Sequence, residues 1–215
     1  MKKFYFFALA IALFASGGVI RALAQDSQSA SSADKTPPSY DLKPQALEDL
    51  KDLQKKFVDL AGAMPADKYT WRPAEGVRSI SEVFLHVSGA GYSLAPMMGA
   101  QPSPGFQAKD FEKSTTDKAK VIEQLNRSFE YVYASLEKLS NDDLKKPVKE
   151  FGPDASAGDV VYLIVTHAHE HLGQSIAYAR INGVIPPWTV AAAAKAKEKE
   201  KEKEKEKPKD RQPQE

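Results

Sequence analysis

The chain has 215 residues, a formal net charge of +1 and no cysteine, which excludes disulfides, lipid attachment at a leader cysteine and a thiolate nucleophile. Its charge is uneven: the leader carries Lys2, Lys3 and Arg21 for +3, the segment from Ala191 has nine basic against seven acidic residues, and the body between them is left at about −4. A mildly acidic body without a basic patch or interleaved aromatic and basic residues argues against nucleic acid as a partner.

Met1-Lys2-Lys3, the apolar run Phe4 to Ala15 and Ala22-Leu23-Ala24 before Gln25 read as a signal peptide over residues 1–24. Ser16, Gly17 and Gly18 interrupt the run short of the roughly 20 apolar residues that a spanning helix needs. No stable membrane span is therefore expected after cleavage, and the mature chain is expected to be exported, periplasmic or extracellular. Residues 25–41, rich in Ser, Ala, Asp and Gln and carrying Pro37-Pro38, have the composition of a disordered linker.

After Pro44, Leu47, Leu50, Leu53, Phe57, Leu60 and Met64 recur at three- and four-residue steps and predict an amphipathic helix that Pro65 ends. Asp67 to Arg78 contains Pro73 and Gly76 and predicts a loop whose Tyr69 and Trp71 cover one end of the core. Ser79-Ile80-Ser81-Glu82 has the form of a capping box and opens a second helix through Val83, Phe84 and Val87, with His86 close to its inward stripe. Gly99 to Lys113 predicts an irregular crossing. A third helix is expected from about Asp117 to Leu139, with Val121, Leu125, Phe129, Val132 and Leu136 along one side. A fourth is expected from about Asp159 to Asn182, stopped by Asn182-Gly183 and Pro186-Pro187. Residues 189–215 form a low-complexity tail in which Lys and Glu alternate. Alternation places opposite charges at i,i+3 but like charges at i,i+4, so a solvated, disordered polyampholyte is expected first and a frayed helix second.

Four amphipathic segments without an alternating strand pattern predict an all-α, four-helix bundle over residues 42–188. Up-down-down-up wiring and the simple up-down form both remain open. In either, His86 on the second helix can meet residues of the fourth in the interior. Bundles of this kind can also pair through exposed helix faces, so a homodimer is one expected state.

Histidines carry the chemistry. His167 and His171 are four apart, which on a helix puts both imidazoles on one face about 6 Å apart and within reach of one ion. His169, turned about 200° from His167, cannot join them. A third ligand must come from elsewhere, and His86 is the remaining histidine. Three neutral imidazoles with open positions suit a divalent metal, nickel or zinc first. Glu170 borders this face and could orient a ligand or take a proton from water; the other reading is a solvated surface glutamate. His-Glu-x-x-His is absent, as are a Gly-rich phosphate loop and a Gly-x-Ser-x-Gly elbow.

The stretch Pro65-Ala-Asp-Lys-Tyr69-Thr-Trp71-Arg-Pro73-Ala-Glu-Gly76-Val-Arg-Ser79, the following helix with His86, and His167-x-x-x-His171-Leu-Gly173-Gln174 resemble the DinB-like family, the DinB/YfiT-like metalloenzymes. The resemblance covers roughly Leu42 to Trp188. It implies a four-helix bundle holding a divalent metal on three histidines, which map here to His86, His167 and His171. In members that are understood, the metal serves thiol-dependent transferase or hydrolase chemistry by activating a thiol or water. This chain departs from the commoner pattern in its leader and in Leu172, where a polar residue is frequent. Two functions follow as expectations: a metal-dependent hydrolase or transferase acting on a small molecule, or a non-catalytic bundle of the cell envelope that binds a metal or a small ligand.

Overall fold

The computed structural model describes residues 40–149 and 154–206, all-helical apart from one isolated bridge between Pro147 and Ser156. The leader over residues 1–24 and the linker up to residue 39 lie outside the described residues. Four long helices form the bundle: α1 (Leu42–Ala63), α2 (Ile80–Leu94), α3 (Lys118–Glu137) and α4 (Ala157–Ile181). A fifth, α5 (Pro187–Glu206), follows.

The helix starts are set by local chemistry. Asp41 and Asp117 accept from backbone amides in the first turns of α1 and α3. At α2 and α4 the caps are reciprocal: Ser79 pairs with Glu82 and Ser156 with Asp159, each side chain satisfying the other residue's amide. The expected fourth helix therefore begins two residues earlier, because Asp159 is the third helical residue and not the first.

α1 packs beside α3 and α4, and so does α2, which places α1 and α2 on one diagonal of the bundle. This excludes the simple form in which each helix lies beside its successor. α1 and α3 run antiparallel, because each start binds the other's end. Lys43 Nζ donates to the Glu137 carbonyl at 2.9 Å, and Lys118 Nζ donates to the Gly62 and Met64 carbonyls at 2.6 and 2.8 Å. Both ammonium groups thus meet the negative end of a helix dipole and unpaired terminal carbonyls.

The core is continuous across the four helices, with Leu53, Phe57 and Leu60 of α1, Phe84 of α2, Leu125 of α3 and Val161 of α4 buried together. Each such side chain contributes about 1.5–3 kcal/mol by leaving water. Where α2 meets α3, Gly91 permits the approach: a Cβ there would stand 2.4 Å from Ser128 Oγ, which itself donates to the Ser88 carbonyl at 2.8 Å. The link between α1 and α2 closes one end of the core. Tyr69 is fully buried there and donates to the Ala61 carbonyl at 2.8 Å, while the Trp71 ring meets Tyr178 edge-on at 5.5 Å.

The tail corrects one expectation. Residues 187–206 are helical, where a disordered polyampholyte was expected ahead of a frayed helix. Ala, Lys and Glu are all strong helix formers, and the run Ala191 to Ala194 starts the segment with the best of them. Every side chain from Ala191 to Lys205 is exposed, so that stretch of the helix is nonetheless solvated on all sides. Among the described residues no helix is long and apolar enough to cross a membrane.

Candidate metal centre

α2 and α4 bring His86, His167 and His171 together, with one ligand atom of each within 4.8 Å of the others. The ring centroids are 4.5 Å apart for His167 and His171, 4.6 Å for His86 and His171, and 4.9 Å for His86 and His167. His171 is buried, and His86 and His167 are half-buried. His169 and Glu170 are both exposed and stand outside the cluster. Among the described residues no hydrogen bond joins Glu170 to the imidazoles.

Two of the three rings have their tautomers set by partners. His86 Nδ1 lies 2.6 Å from Glu112 Oε1, and His171 Nδ1 lies 2.8 Å from Gln174 Oε1. An ionised carboxylate and an amide oxygen only accept, so both rings carry hydrogen on Nδ1 and present a bare Nε2 lone pair. His86 Nε2 is 3.0 Å from His167 Nε2. With the His86 nitrogen bare, His167 is the donor in that bond.

Each partner is itself held. Arg78 grips the Glu112 carboxylate with two nitrogens, Nε to Oε2 at 2.7 Å and Nη2 to Oε1 at 3.2 Å. Gln174 Nε2 donates to the Tyr178 hydroxyl at 3.0 Å, and Tyr178 rests on Trp71. The Trp71 loop thereby reaches His171 through Tyr178 and Gln174. Of these supports, Gln174 and Arg78 stood in the family-like sequence stretches without an assigned role, and Trp71 was expected only to cover one end of the core. Glu112 was missed altogether, because nothing in an irregular segment 26 residues from His86 marks it as a neighbour.

The electrostatics favour neutral imidazoles at His167 and His171. Burial, then the neighbouring His171, His86 and Arg78, pushes His167 down to about 4. Burial also lowers His171, against the opposing bond to Gln174. Desolvation would raise Glu112, but its bonds from Arg78 and His86 hold it below the ordinary carboxylate range. A cation competes with protons for imidazole nitrogen, so rings that resist protonation are suitable ligands.

The donor set fits a divalent ion. Two nitrogens each about 2.0–2.1 Å from one zinc ion in tetrahedral geometry stand roughly 3.3 Å apart, close to the separation of His86 and His167. Only three protein ligands gather among the described residues, which is the count found where a coordination position is left for water or substrate. Beside His167 lies a cavity of about 10 Å³, lined by Val87, Gly91, Phe129, Val132 and Ile164 among others.

Comparison with known proteins shows the family and the fold. The profile of the DinB superfamily matches residues 49–175. The chain belongs to the DinB superfamily. Among solved structures of DinB-like proteins, YjoA from Bacillus subtilis aligns with a TM-score of 0.52 at 22% identity, covering 65% of this chain and 92% of its own. A DinB-like protein from Bacillus cereus aligns with a TM-score of 0.59 at 14% identity, covering 67% and 95%. YfiT from Bacillus subtilis, described as "a probable metal-dependent hydrolase with an unusual four-helix bundle topology", aligns with a TM-score of 0.53 at 16% identity, covering 71% and 94%. At these identities the likeness shows the fold. No curated protein matches the chain.

Proposed function

We propose that this DinB superfamily protein is a divalent-metal-dependent hydrolase or transferase whose ion, nickel or zinc, is held by His86, His167 and His171. The observation that carries the reading is the convergence of three imidazole ligand atoms within 4.8 Å, with His86 and His171 turned by Nδ1 acceptors so that Nε2 presents a lone pair. Such an ion supplies Lewis acidity that polarises a substrate oxygen or activates water or a thiol. His86 and His171 are fixed by Glu112 and Gln174, while His167 must give up the Nε2 hydrogen it donates to His86. The apolar lining of the neighbouring cavity limits water beside His167 and strengthens charge interactions there. Glu170 is an exposed group near His171, better placed to exchange protons with solvent than to be held against a substrate. YfiT's description supports hydrolase chemistry, and the leader sequence supports a place in the cell envelope.

The small size of the cavity favours a second reading, a non-catalytic envelope bundle that carries a metal or a small ligand, since it has room for about one water. Loading the metal-free protein with nickel or zinc and presenting ester, amide, phosphoester and thiol-acceptor substrates separates the two. Turnover that needs the metal and disappears in His167→Ala supports the enzyme. Stoichiometric uptake without turnover supports the carrier, and a chain that takes up neither metal overturns the metal reading.

A further inference from the structure

Glu112 does not belong to the helices that form the histidine cluster. It sits in a short 3₁₀ turn, Phe111–Lys113, at the end of the crossing between α2 and α3. That turn is seated on α2 one helical step beyond His86. Gly89 leaves the space for it: a Cβ at Gly89 would be 3.2 Å from Phe111 Cδ1. Phe111 is also edge-on to Phe106 at 5.1 Å and to Tyr92 at 6.0 Å, so three aromatic rings fix the crossing against the helix.

Both oxygens of the carboxylate that arrives this way are bonded. Oε1 accepts from His86 Nδ1 and Arg78 Nη2, and Oε2 accepts from Arg78 Nε. The paired guanidinium bonds set the carboxylate plane, and the 2.6 Å contact to Nδ1 then sets the rotation and tautomer of the His86 ring. A carboxylate so occupied has little freedom to serve as a ligand or as a mobile base. Arg78 lies one residue before the Ser79 cap, so its backbone is fixed by the start of the same helix that carries His86.

We infer that Glu112, braced by Arg78, is a positioning residue that locks His86 in the Nδ1–H tautomer and so presents Nε2 for a divalent cation. The cation half of this inference rests on the proposed metal reading; the tautomer half does not.

Two measurements on the full-length protein test it. Imidazole ¹⁵N shifts of the metal-free protein report which His86 nitrogen carries hydrogen. The parent should show one Nδ1–H tautomer and Glu112→Ala a mixture, while Glu112→Gln, which keeps an acceptor oxygen, should stay close to the parent. Titration with nickel and zinc should give an affinity loss of about 10- to 100-fold for Glu112→Ala and a smaller loss for Glu112→Gln. Melting of each metal-free variant controls for a general loss of structure, which would not follow the order parent, Gln, Ala in tautomer. An unchanged His86 tautomer in Glu112→Ala overturns the inference, as does metal affinity within twofold of the parent. If the parent itself binds neither metal, the proposed function fails, and the tautomer alone decides whether Glu112 holds His86.

Discussion

His167 differs from its two neighbours in having no partner for Nδ1 among the described residues, and in being held down to about 4, first by burial and then by the charges of His171, His86 and Arg78. An unfolded histidine titrates near 6.5. Between about 6.5 and 4 the unfolded chain therefore takes up a proton that the folded, metal-free protein refuses. Stability should be flat above that window and should fall as pH falls through it. Melting of metal-stripped protein at pH 7.5 and pH 5 checks this, since carboxylates change little above pH 5. The decline should be shallower in His167→Gln, and a melting point that holds or rises at pH 5 would sink the prediction. A second expectation concerns the ligands. Ala at His86, His167 or His171 should weaken nickel and zinc binding severely, whereas His169→Ala, on the exposed side of α4, should bind as the parent does. Isothermal titration of the four variants reads this directly, and equal loss in His169→Ala would break the assignment. The pair on α4 is legible in sequence because four residues are one helical turn. Glu112 is not, because its contact with His86 depends on how an irregular crossing folds back.

The start of α2 matters to the site because it fixes both Arg78 and His86. Ser79 is buried, its hydroxyl accepts from the Glu82 amide, and the Glu82 carboxylate returns a 2.7 Å bond from the Ser79 amide. Ser79→Ala should cost about 1 kcal/mol in urea unfolding of the metal-free protein. A change below about 0.3 kcal/mol would show that Glu82 alone suffices. This cap is why the start of α2 could be read from residue order, as could the stop of α1 at Met64-Pro65, whereas the equivalent cap at Ser156 went unread and α4 was expected two residues late. The tail was harder, because composition left two effects opposed: i,i+4 like-charge repulsion and the helix propensity of Ala, Lys and Glu. In the structure propensity prevails. The order of helices around the bundle was not legible either, since the apolar stripe of a helix shows that it packs but not against which neighbour. That order emerges from particular pairs such as Lys43 with Glu137 and Lys118 with Gly62.

At the scale of the whole molecule, the core and the site are complete before α5 has made its second turn. Val184, Pro186 and Trp188 pack against the bundle, and every side chain from Ala191 to Lys205 is exposed. The leader, Met1 to Ala24, leads to the expectation that mass spectrometry of the protein from its native host will find Gln25 first; a retained leader would contradict it. The tail gives the more searching test of how the chain is organised. An alanine run followed by alternating Lys and Glu offers no large apolar stripe to bury, and its i,i+3 attractions are offset by i,i+4 repulsions, so it adds helix without adding fold stability. Deleting Ala191 to Glu215 should lower the helical far-ultraviolet signal by the exposed part of α5. It should leave the melting transition, and nickel or zinc affinity, within the range of neutral surface changes, about 0.5 kcal/mol. A loss of more than about 1 kcal/mol would mean that the Lys/Glu segment docks on the bundle. A fall in metal affinity with unchanged melting would mean instead that it reaches the histidine cluster.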